Sequence, residues 1–64
     1  MKIKELRTRL GITQAEFALQ FPVAEFSIRR WESNQIDKDW LPDPIYQKVL
    51  KRLEKKLIRL EAKK

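Results

Sequence analysis

The single glycine and the first proline divide the N-terminal half of this chain into three short segments, each with a helical apolar pattern. Gly11 is the only glycine and Pro22 the first of three prolines. Glycine just past a helix readily takes the left-handed conformation that ends it. Proline donates no backbone hydrogen bond and disfavours a helical predecessor. Segment 2–10 sets Ile3, Leu6 and Leu10 at helical spacing, with Glu5 and Arg9 as an outer i,i+4 pair. Segment 12–21 opens on Thr13 with Glu16 three residues later, a capping box, and Ile12 placed to staple onto Phe17. Phe17, Ala18 and Phe21 make its inner stripe. In segment 23–33, Ala24, Ile28 and Trp31 share one helical face, and Phe26, Arg29, Arg30 and Ser33 share the opposite one. Asn34 is the expected left-handed cap after it.

Residues 34–44 carry two prolines, three Asp and an Asn, which predict a loop with room for a 3₁₀ turn. Trp40 and Leu41 are expected to fold back onto the core of so small a chain. A long helix is predicted over 45–62, with Asp43 as N-cap and Pro44 in the first helical position. Tyr46, Val49, Leu50, Leu53, Leu57 and Leu60 recur at 3,4 spacing, and Lys48, Lys51, Arg52, Lys55 and Arg59 lie opposite. Leu50, Leu53, Leu57 and Leu60 alternate like a coiled-coil seam, though about two heptads are too few for an isolated dimer. Tyr46–Leu53 is expected to pack on the first helix. Leu57 and Leu60 are expected to run past the core and offer a homodimer seam.

Composition closes off whole classes of chemistry. Sixty-four residues make one all-α domain, 1–64, with a thin core. With no Cys and no His there is no disulfide, no thiolate or imidazole metal site, and no histidine base. Asp37, Asp39 and Asp43 lack calcium-loop spacing and its glycine. The expectation is no enzyme, no metal, no cofactor and no small-molecule ligand. No apolar run approaches the ~20 residues that span a bilayer, and Met1-Lys2 leads straight into an amphipathic pattern. A cytoplasmic protein with no membrane partner is expected. The net charge of +6 is unevenly placed. Residues 1–47 hold seven basic and seven acidic side chains, and residues 48–64 hold eight basic and two acidic. Such a basic tail suits a polyanion partner or a merely solvated helix.

Residues 3–33 resemble the Xre/Cro-type repressor family, whose DNA-binding domain is lambda-repressor-like. Thr13, Gln14, Glu16, Ala18, Val23, Ile28, Trp31, Glu32 and Ser33 match that family's helix-turn-helix without gaps, and Phe17 is an apolar match. Ile3 to Arg7, Leu10 and Gly11 fit its first helix. Pro22 stands where the family usually has glycine, Ala24 where it has a Ser/Thr cap, and Leu19-Gln20 reverses the usual order, so the turn geometry is expected to differ.

The resemblance implies an all-α domain of four or five helices: a helix-turn-helix core over 3–33, a loop over 34–44 and a C-terminal amphipathic helix. It implies a bacterial, phage or plasmid-type repressor, nucleoid-associated when bound, that reads double-stranded DNA as a dimer through recognition helix 24–33. Glu25, Phe26, Ser27 and Arg30 fall at base-reading positions, with donors, acceptors and an apolar ring suited to base edges. Gln14, Arg29, Asn34, Gln35 and Lys38 fall at phosphate positions, and Arg7 with Glu32 at an internal salt bridge. Rival readings stand beside these. Glu25 and Arg29 form an i,i+4 pair that stabilises the helix with no ligand. Phe26 is open to DNA contact, packing on the Trp40 loop, or a protein contact. The alternative function is a protein-interaction or antitoxin-like module built on the same scaffold.

Overall fold

The computed structural model describes residues 1–63, and these are all-α. Helix α1 spans Ile3–Leu10, α2 Gln14–Gln20, α3 Glu25–Ser33 and α4 Pro44–Ala62, with a 3₁₀ turn at Lys38–Trp40. Local chemistry accounts for most boundaries. Gly11 takes φ 72° after α1, and its N–H donates to Arg7 and Thr8 carbonyls. Thr13 and Glu16 form the reciprocal capping box at α2. Asp43 accepts from the Ile45 N–H at 2.8 Å, and Pro44 opens α4.

Two ends differ from expectation. Asn34 is not the left-handed residue after α3; its φ is −85°, and Gln35 takes φ 53° instead. The Gln35 N–H donates to Glu32 and the Ile36 N–H to Trp31, which completes a Schellman ending one residue later. The α2–α3 turn uses no left-handed residue. Val23 N–H closes it onto the Ala18 carbonyl at 3.1 Å, so Pro22 fits without strain.

The core is one cluster between the four helices. Ile3, Leu6, Phe17, Phe21, Ile28 and Leu50 are fully buried at its centre. Phe21, Trp31 and Tyr46 meet edge-to-face at 5.4–5.9 Å between ring centroids, which ties α2, α3 and α4 together. Helix α4 packs on α1 and sets the long axis of a body 32 × 22 × 19 Å in extent.

Residues 34–44 are latched at both ends. Ile3 N–H donates to the Ile36 carbonyl and Lys38 N–H to the Met1 carbonyl, both at 3.0 Å. Gln47 Nε2 donates to the carbonyls of Lys38 and Leu41. Of the two residues expected to fold inward, Leu41 does, but Trp40 stays 69% exposed. The 3₁₀ turn places Trp40 outside, where Lys2 Nζ sits 5.7 Å from the ring centroid.

The leucine seam is also corrected. Leu50, Leu53 and Leu57 are buried in the chain's own core, with Leu57 only 4% exposed. They are committed to the core, and of the four seam leucines Leu60, 43% exposed, stays open. Leu57→Ala should therefore lower unfolding stability by about 2–5 kcal/mol, as for a core leucine. Urea unfolding should show the same loss at every protein concentration; a loss that grows on dilution would restore the seam.

Candidate nucleic-acid interface

Helix α3 is held from behind by one polar knot. Arg7, on α1, donates from Nε to Glu32 Oε2 at 2.5 Å and from Nη2 to Glu32 Oε1 at 3.1 Å. Its Nη1 donates to the Ile12 carbonyl at 2.9 Å. Gln14, at the start of α2, donates from Nε2 to the same Glu32 Oε1 at 3.1 Å. The Glu32 carboxylate is 5% exposed and thus receives three bonds from two other helices. The guanidinium fork fixes direction as well as distance. The knot, Ile28 and the Trp31 ring together set how α3 lies on the domain.

What α3 turns outward is then determined. Phe26 is 67% exposed and Arg30 is exposed beside it. Phe26, Arg29, Arg30, Ser33 and Asn34 line a shallow open depression. Ser33 joins this surface although it was not singled out as a site residue; its place on the outward helical face was the available signal. Phe26 does not pack on the Trp40 loop, so that reading of it is removed. Ser27 is half-buried at the margin of the surface.

Charges on this surface are mostly matched. Arg29 Nη2 lies 2.8 Å from Glu25 Oε2, the i,i+4 pair read from the spacing. Glu25, in the first turn of α3, also lies at the favourable end of the helix dipole. The pair engages Oε2 of Glu25 and leaves Oε1 able to accept from a further donor. Among the described residues Arg30 is the cation of α3 with no ion-pair partner.

Two residues read as phosphate ligands are otherwise engaged. Gln14 donates one of its two amide N–H bonds to Glu32. Lys38 Nζ lies 2.9 Å from Glu54 and 3.2 Å from Asp39. Hydrogen bonds to Glu54, then Asp39, hold its ammonium above the ordinary value of 10.5. Asn34 and Gln35 remain exposed at the end of α3. Among the described residues no group of acidic side chains is placed to hold a metal ion, and no helix is long and apolar enough to cross a membrane.

No family model, curated protein or solved structure matches this chain.

The knot has a steep cost of removal. Glu32→Ala leaves Arg7 partly buried without its carboxylate and frees Gln14. It should cost about 3 kcal/mol or more, enough to unfold much of a marginal domain. A double-mutant cycle with Arg7→Ala in urea unfolding should show strong coupling; additive losses would mean the pair is not the tie described. Lys38 supplies a pH signature. Its raised value means its contribution is complete below 10.5 and is lost as pH rises through the folded value. Lys38→Met should flatten the alkaline limb of the stability–pH curve relative to wild type, and identical alkaline limbs would remove the Lys38–Glu54 tie.

Proposed function

We propose that this chain is a sequence-specific double-stranded DNA-binding protein with a lambda-repressor-like helix-turn-helix, acting as a transcriptional regulator. In this reading α2 and α3 are the two helices of the motif and α3 enters the major groove. The observation that carries the reading is the posture of α3. A nine-residue helix is held on its inner side by Glu32, Ile28 and Trp31 and presents Phe26, Arg30 and Ser33 outward. A helix with its side chains is about 10–12 Å across, and the major groove is about 12 Å wide.

The roles divide by chemistry. Arg30, with no ion-pair partner, is the base reader; its fork matches guanine O6 and N7. Phe26 supplies apolar contact to a thymine methyl, and Ser27 a short hydroxyl at the margin. Arg29, Asn34 and Gln35 flank the groove and set register on phosphates. Glu25 serves α3 through Arg29 first. Gln14 and Lys38 act inside the protein, one on Glu32 and the other on Glu54.

One observation favours a second reading, a protein-interaction module. Phe26 is a large apolar side chain on an otherwise polar exposed surface, and exposed apolar surface of this kind marks protein contacts. The readings part on salt: DNA binding weakens steeply with ionic strength, whereas an apolar protein contact does not.

Selection of bound sequences from a random duplex pool tests the proposal, and half-site spacing in that pool reports the oligomer. Arg30→Ala should cost about 1–3 kcal/mol on the selected duplex and relax one base position. Equal losses on selected and random duplex would remove Arg30 as a reader. A pool with no enriched sequence would overturn sequence-specific binding.

A further inference from the structure

Helix α4 carries a surface that the recognition helix does not use. Lys48, Arg52, Lys55 and Arg59 fall within roughly 60° of one another around the helix, over about 16 Å of its length. Lys63 continues the line at its end, and all five are exposed. Leu50, Leu53 and Leu57 lie on the other side of the helix and are buried, so the stripe points away from the core. The two acids of the segment lie off it. Glu54 is turned to Lys38 at 2.9 Å, and Glu61 falls near the far flank. Among the described residues none of the five cations makes an ion pair.

This arrangement works against the helix that carries it. Lys48–Arg52, Lys55–Arg59 and Arg59–Lys63 are i,i+4 pairs of like charge, which destabilise a helix. A stripe that serves only solubility would be interleaved with acids, as Glu5–Arg9 and Glu25–Arg29 are elsewhere in this chain. The repulsion is relieved by a polyanion laid along the helix.

We infer that the outward stripe of α4 is a second binding surface, for duplex phosphates, independent of base sequence and separate from α3. The inference rests on the reading above that the partner is duplex DNA. A linear array of cations at one-turn spacing complements a linear polyanion that carries one charge per about 1.7 Å of axis. Two of the stripe's members are Arg, whose fork suits phosphate oxygens. A membrane-surface helix would instead need its apolar face free to enter the bilayer, and the apolar face of α4 is buried in the domain. The loop that joins α3 to α4 carries Asp37, Asp39 and Asp43, so an acidic tract parts the two cationic surfaces along the chain.

The test uses the full chain with Lys48, Arg52, Lys55 and Arg59 all replaced by Gln. Thermal melting at low salt should be unchanged or raised, since repulsion is removed and no packing is lost. Fluorescence anisotropy on a random-sequence duplex, between about 50 and 200 mM salt, should show the slope of log affinity against log salt reduced by about 3–4. Preference for the selected sequence over the random one should persist. An unchanged slope overturns the inference. So does wild-type binding to phosphatidylserine–phosphatidylcholine vesicles that exceeds duplex binding and is lost in the variant. Failure of α3 as a reader shows separately, as a pool without enrichment, while the stripe still governs binding to random duplex.

Discussion

The Arg7–Glu32 pair is the constraint that the remaining geometry answers to. Eleven buried apolar side chains make a core too thin to orient every helix by packing alone, because apolar burial is non-directional. An ion pair with two parallel bonds is directional. Here it joins α1 to α3, and the same carboxylate draws in α2 through Gln14. Burying such a pair is not a net source of stability, since desolvation offsets most of the attraction. Its effect is asymmetric. Once α3 lies where Glu32 is inward, any other rotation of α3 strands two charges in a place that water barely reaches. That asymmetry keeps Arg30 and Phe26 outward, on the face opposite Glu32 and Ile28.

This internal use of charge explains the electrostatic layout. The first 47 residues have no net charge, and most of their ions are occupied with one another: Arg7 with Glu32, Arg29 with Glu25, Arg9 with Glu5. Lys38 is tied to Asp39 and reaches forward to Glu54, taking an acid out of α4's surroundings. Among the described residues the cations left without an ion pair are Lys2 and Lys4 near the N-terminus, Arg30 on α3, and the lysines and arginines from Lys48 to Lys63. On the proposed reading, selectivity falls to α3 and long-range attraction chiefly to α4. A reading helix with little surplus charge discriminates better, because its contacts are not swamped by uniform attraction to every phosphate.

Features set by neighbours in sequence were legible from the residues alone. Gly11 ending α1, the Thr13–Glu16 box and Asp43-Pro44 starting α4 each act within one helical turn. The inner faces of the first three helices followed from period alone, as Ile3, Leu6, Phe17 and Ile28 show. Part of what was not legible depended on partners far along the chain. Gln14 meets Glu32 across 18 positions, and Lys38 meets Glu54 only once α4 is docked. The size of Trp40 favours an inward place, yet Leu41 takes it because the 3₁₀ turn brings Leu41 there. The left-handed residue after α3 fell on Gln35 because the Schellman bonds to Glu32 and Trp31 set the count, and side-chain preference for Asn did not.

A helix has no freedom to present two faces at will: each residue advances the azimuth by about 100°, so burying three leucines fixes the rotation of the whole rod. Leu57 extends that anchoring one turn beyond Leu53, so the part of α4 that carries Arg59 is docked as well as oriented. With Leu50, Leu53 and Leu57 all committed to the core, the row from Lys48 to Arg59 is held rigidly outward along about three turns. The leucines expected at a seam are the same ones that turn a loosely basic tail into an oriented charged surface. Its direction is set by hydrophobic burial on the opposite side of the helix rather than by any contact the cations make themselves.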